Sequence, residues 1–81
     1  MEVRYRLLYF ASLADAAGRT EETVVSDAGD PQALYAQLRE RYGFRFDAAR
    51  LRVAVNGALA DWRQSLSDDD EVVFLPPVSG G

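Results

Sequence analysis

The chain has no cysteine, no histidine and no lysine among its 81 residues. The first two absences exclude disulfides, thiol chemistry, the commonest general base and the usual zinc ligands. The third leaves nine arginines, at positions 4, 6, 19, 39, 41, 45, 50, 52 and 63, as the whole basic side-chain complement. Two readings of that bias stand: a genome rich in arginine codons, or a chain whose activated C-terminus would find no ε-amine on itself, only the α-amine of Met1. Long apolar runs are missing too. No stretch approaches the roughly 20 residues of a membrane span, and the start lacks the basic, apolar and small-residue sections of a secretory leader, so a cytoplasmic protein is expected. Positive charge is scarce overall. A net charge of −4 argues against nucleic acid or an anionic membrane as partner, because both demand concentrated positive charge.

Size excludes more. A single domain this small buries only about 60–65% of its unfolded surface, and it has little room for the pocket of roughly 300–1,000 Å³ that a ligand site occupies. A carrier or binding module is expected rather than a self-sufficient enzyme. The remaining candidate for a metal is the run Asp68, Asp69, Asp70 and Glu71. A calcium loop spaces its ligands at alternate positions around an internal glycine, whereas this run is contiguous; it reads as a solvated turn, and no metal is expected.

What is present is a legible order of elements. Val3 to Phe10 alternates Val3, Tyr5, Leu7 and Tyr9 with Arg4 and Arg6, a strand with one apolar face. Ser12 to Ala17 reads as a short helix or wide turn, with Ser12 as N-cap, Asp15 in the first turn and Gly18 as the stop. Thr20 to Ser26 is a second strand. Asp30-Pro31 is a strong helix start, a cap followed by a residue that needs no N–H there. Leu34, Leu38 and Tyr42 then share a face with Ala33 and Gln37 beside them, Arg39, Glu40 and Arg41 face water, and Gly43 ends the helix. Leu51, Val53 and Val55 alternate into Asn56-Gly57, a hairpin signal, followed by a short strand over Ala58 to Trp62. Glu71 to Leu75 is the last strand, ended by Pro76-Pro77, which have no N–H for a ladder. One main helix on a mixed sheet of four to five strands makes an α+β, β-grasp (ubiquitin-like) domain over residues 1–75, with an extended tail over 76–81.

The tail is Pro76, Pro77, Val78, Ser79, Gly80 and Gly81. With glycine at about 7% of residues, two at given positions are about a 1-in-200 coincidence. Without Cβ atoms such an end can thread a channel too narrow for side chains, and six residues reach about 20 Å at roughly 3.3 Å each. A carboxylate is a poor electrophile until activated, and no phosphate-binding loop is present to activate it; the catalysis must come from outside.

The stretch AVNGALADWRQSLSDDDEVVFLPPVSGG, with Tyr9-Phe10-Ala11 at the end of the first strand, resembles the small sulfur-carrier subunits of molybdopterin synthase over essentially the whole chain. One position departs: Asp69 stands where that family usually has glycine. Asp tolerates a left-handed backbone better than most residues, so the turn is expected to persist. The resemblance implies a cycle in molybdenum cofactor biosynthesis. A ubiquitin-activating-like adenylyltransferase would spend ATP to adenylate Gly81, a sulfur donor such as a cysteine desulfurase system would leave a thiocarboxylate, and the tail would enter the large catalytic subunit to donate sulfur to a cyclic pyranopterin monophosphate. The chain would be a non-catalytic subunit binding no cofactor of its own.

Docking needs a surface. If Val72 and Phe74 face the helix, Val73 and Leu75 face outward, and with Leu59 and Ala54 they are expected to form an apolar patch on the open face of the sheet, with Arg39 and Arg63 as rim contacts. Three other functions fit the same features: a ubiquitin-like modifier joined to target lysines through Gly81, the sulfur carrier of thiamine synthesis, and a plain β-grasp interaction module with an incidental tail. The Pro-Pro before the Gly-Gly separates this chain from the thiamine carriers.

Overall fold

The computed structural model describes residues 2–77. The order is β1 (Val3–Leu8), α1 (Ala11–Ala17), β2 (Glu21–Ser26), α2 (Pro31–Tyr42), a 3₁₀ turn (Ala48–Arg50), β3 (Arg52–Val55), β4 (Ala58–Ala60) and β5 (Asp70–Leu75). The five strands form one mixed sheet in the order β2-β1-β5-β3-β4. β1 and β5 run parallel, and the other neighbours are antiparallel. Helix α2 packs across one face of this sheet, which is the β-grasp architecture.

Local chemistry accounts for the element ends. The Asp30 carboxylate accepts from the Ala33 N–H at 2.8 Å, capping α2 with Pro31 in its first turn. Gly43 ends the helix at φ 73°, and Gly18 ends α1 at φ 74°; both angles suit glycine because a Cβ is disfavoured there. Asn56 and Gly57, at φ 52° and 85°, make the β3–β4 turn. Their positive φ values at both central positions are those of a tight hairpin turn that matches strand twist.

The core lies between α2 and the inner sheet face. Tyr5, Leu7, Leu34, Val53, Val72 and Phe74 are all at most 1% exposed. Phe74 is its centre. Tyr35 packs on it at 5.0 Å between ring centroids, Trp62 stacks on it at 5.7 Å and 12° between planes, and Tyr35 and Trp62 themselves meet edge-on at 6.0 Å. A second aromatic group joins Tyr9, Tyr42 and Phe44 at the end of the sheet where β1 stops.

Several expectations need correction. Ser12 does not cap α1: the helix begins at Ala11, Phe10 holds the cap position without a side-chain bond, and Asp15 therefore lies beyond the first turn. Ala33 and Gln37 are exposed, and the buried face of α2 instead runs through Pro31, Leu34, Tyr35 and Leu38. Tyr35 belongs inside because Phe74 and Phe44 offer it aromatic surface while its hydroxyl escapes to the Phe46 carbonyl at 2.7 Å. Gln37 is a polar strut, accepting from the Ser26 hydroxyl and donating to Asp27. The Phe44–Arg50 connection contains a 3₁₀ turn that no periodic signal in the sequence marks. β1 closes at Leu8 and β4 at Ala60, short of Phe10 and Trp62.

Candidate docking face and tail root

β5 is the central strand, flanked by β1 and β3. The tail therefore departs from the middle of the sheet, at the end where β1 finishes and β3 begins. Leu75 and Pro76 are half-buried and Pro77 is exposed. Neither proline has an N–H, so ladder bonding cannot continue through them. Val78, Ser79, Gly80 and Gly81 lie outside the described residues.

The sheet face away from α2 carries a continuous apolar row. Leu59 pairs with Ala54, Ala54 with Val73, and Val73 with Leu8 across β4, β3, β5 and β1. Leu59 is 63% exposed, whereas Val73 is only 8% exposed. The alternation of β5 does turn Val73 away from the helix, but its exposed role is corrected: Leu8 and Ala54 flank it on a central strand and cover it. Val73 is the floor of the row, and its walls are Leu59 and Leu8.

Leu75 starts a second row towards the tail. It lies opposite Arg52 in the β3–β5 ladder, and Arg52 has no acidic partner within ion-pair distance among the described residues. Phe10 follows Leu8 and Tyr9 on the extended end of β1 and is 50% exposed. Its successor Ala11 holds φ 51°, a conformation that disfavours larger branched side chains. Strand alternation puts Phe10 on the same side as Leu8. Leu8, Phe10 and Arg52 join the residues expected on this face; the β1 alternation extended past Arg6 is the sequence signal for the first two.

Charge frames these rows unevenly. Arg6 meets Glu71 at 3.7 Å, and a depression of about 320 Å³ opens beside them between β1 and β2, bounded also by Leu8, Glu21 and Thr23. Arg39, expected at the rim, is elsewhere. It lies on α2, its Nε donating to the Phe44 carbonyl at 3.1 Å and its Nη1 to Asp47 at 2.7 Å. It braces the connection after the helix while its side chain still reaches water. Arg63 is exposed after β4, its backbone N–H bonded to Asp61.

The acidic run is a turn with each part employed. Asp68 accepts from the Arg4 N–H, Asp70 from the Ser67 N–H and the Asn56 side chain, and Asp69 holds φ 68°. Among the described residues no group of three or more acidic side chains is arranged to hold a metal ion, and no helix is long and apolar enough to cross a membrane.

One carboxylate is unusual in its company. Glu22 Oε2 accepts from both Tyr9 and Tyr42 at 2.6 Å, and its Oε1 faces Arg19 at 3.4 Å. Burial, followed by the bond to Glu22, pushes the Tyr9 phenol well above its ordinary range; for Tyr42 the Glu22 bond leads and burial follows. This cluster locks the sheet end to the end of α2.

Comparison with known proteins relates this arrangement to others. The family model described as ThiS family matches residues 7–81. The molybdopterin synthase sulfur carrier subunit of Mycobacterium tuberculosis is 35% identical over 82 residues, covering 98% of this chain and 99% of that protein. Among solved structures, a chain of the complex of subunits 1 and 2 of the Helicobacter pylori molybdopterin-converting factor is similar at 29% identity and TM-score 0.65, covering 98% of this chain and 100% of that one. SAMP1 of Haloferax volcanii, a small archaeal modifier protein, is similar at 26% identity and TM-score 0.75, covering 96% and 99%.

Proposed function

The chain belongs to the ThiS family, and on that premise we propose that it is the sulfur-carrier subunit of a molybdopterin synthase, acting in the cytoplasm. The observation that carries this reading is the tail root: a Pro-Pro-Val-Ser-Gly-Gly segment leaving the central strand beside an open apolar row. In that cycle Gly81 is adenylated at a ubiquitin-activating-like partner that consumes ATP, and a sulfur donor converts it to a thiocarboxylate. The large catalytic subunit then receives the tail and transfers its sulfur to a cyclic pyranopterin monophosphate.

The physical division of labour supports it. The domain offers an apolar face for docking, and six tail residues supply about 20 Å of reach. Leu59, Leu8, Leu75 and Phe10 are the contacts we assign to the large subunit, over the floor made by Val73. The substrate's phosphate is held by the partner, because residues 76–81 carry no positive side chain.

Intact-mass spectrometry after incubation with ATP, a sulfur donor and the adenylating partner tests the reading. Replacement of one oxygen by sulfur, lost on deletion of Gly81, is the expected result; no replacement with a competent partner overturns it. The likeness to SAMP1 favours a second reading, conjugation to target lysines through Gly81. An isopeptide-linked product in place of the free thiocarboxylate distinguishes it. A thiamine carrier is separated by the absence of pterin conversion with the large subunit.

A further inference from the structure

An activated acyl group at the C-terminus of a chain meets its own domain first. An amine tethered within reach acts at an effective concentration in the millimolar range, and lysine is ordinarily among the commonest residues. Here the side-chain nucleophiles that work near neutral pH, Lys, Cys and His, are all missing from the sequence. Arginine is no substitute, since its guanidinium stays protonated and does not attack.

The fold removes the remaining class. Each of the four tyrosine hydroxyls is engaged as a donor: Tyr5 to the Ala28 carbonyl, Tyr35 to the Phe46 carbonyl, and Tyr9 and Tyr42 to Glu22. Burial or the Glu22 bond raises all four phenols, so the reactive phenolate is suppressed. Serine and threonine hydroxyls need an adjacent base to attack, and a chain without histidine lacks the commonest one.

From this we propose that the chain is an obligate donor: no side chain of its 81 residues can intercept its own activated C-terminus or that of another copy. The inference builds on the carrier reading. In the reaction avoided, an amine nitrogen attacks the acyl carbon and a C–N bond forms. The bond to AMP or to a thiol leaving group breaks, and one proton passes to solvent. Apart from the α-amine of Met1, any amine acylated then belongs to a different protein, and copies cannot be built into polymers through side chains.

The test requires no partner, so failure of the carrier reading leaves it intact. The full chain is prepared with a C-terminal thioester installed by intein cleavage, incubated in mildly alkaline buffer, and followed by intact mass and peptide mapping. Arg52→Lys is the comparison, because position 52 lies opposite Leu75 at the tail root and is exposed. The expected result in the unmodified chain is loss by hydrolysis, with any amide confined to the α-amine of Met1. The variant should instead yield a substantial fraction of product that has lost the thiol without gaining water, bonded at position 52. Amide or ester bonds to side chains of the unmodified chain overturn the proposal. So does hydrolysis alone in the variant, which shows that an added amine makes no difference.

Discussion

The backbone N–H of Asp69 donates to the Arg4 carbonyl at 2.7 Å, and Asp69 holds φ 68° where it does so. Arg4 returns its own N–H to Asp68 at 2.8 Å, so the turn before β5 is stitched to the start of β1. Asp69→Val should lower unfolding free energy by about 1–2 kcal/mol, the cost of left-handed backbone for a branched residue, while Asp69→Gly keeps or raises it. Urea denaturation of the two variants beside the parent measures both; equal stability of the valine variant would remove the backbone account.

Leu59 is the most exposed member of the apolar row, and its replacement separates docking from folding. Leu59→Arg is expected to change stability by no more than about 0.5 kcal/mol yet weaken binding to the large subunit about tenfold or more. Leu75→Arg should weaken it too, with some loss of stability because Leu75 is half-buried. Calorimetric titration gives the affinities, and an unchanged affinity for Leu59→Arg counts against this face as the docking site.

Tyr9 and Tyr42 make stability sensitive to alkali. Their folded phenols titrate above the ordinary value of 10.0, so the unfolded chain loses these protons first. Their contribution is full below about pH 10 and declines as pH rises from there through the folded values. Tyr9→Phe should cost about 1–2 kcal/mol near neutrality through the lost bond to Glu22 and flatten the alkaline decline. Denaturation curves collected on either side of pH 10 decide this; parallel declines in parent and variant would contradict it.

Phe74 is fully buried in contact with both Tyr35 and Trp62. Phe74→Ala should cost about 3–5 kcal/mol, a large share of the roughly 5–15 kcal/mol typical of a domain. Trp62 is the single tryptophan, and its stacking on Phe74 makes its fluorescence a direct reporter. A lower urea midpoint with a red-shifted native spectrum is the expected outcome, and a midpoint within error of the parent is the contrary one.

What could be read along the chain rested on interactions between near neighbours. Asp30 caps a backbone N–H three residues away, Gly18 and Gly43 relieve a clash within their own residues, and Asn56-Gly57 bends the chain through two torsions. Alternation in β1, β3 and β5 likewise separated the two sheet faces, because a strand turns successive side chains to opposite sides. The tail's composition was legible for the same local reason: glycines and prolines free or restrict the backbone wherever they occur.

Residues misplaced from the sequence were those whose surroundings come from distant segments. Val73 points away from the helix as alternation requires, yet it is covered because the order β2-β1-β5-β3-β4 seats Leu8 and Ala54 on either side of it. Arg39 keeps the water-facing side that the helical period gives it, but its bonds to Phe44 and Asp47 depend on a connection that carries no strong periodic signal. Tyr35 enters the core because Phe74, 39 positions later in the chain, presents a ring to it. Period and capping state which way a side chain points; only the assembled sheet, by choosing its neighbours, decides whether water still reaches it.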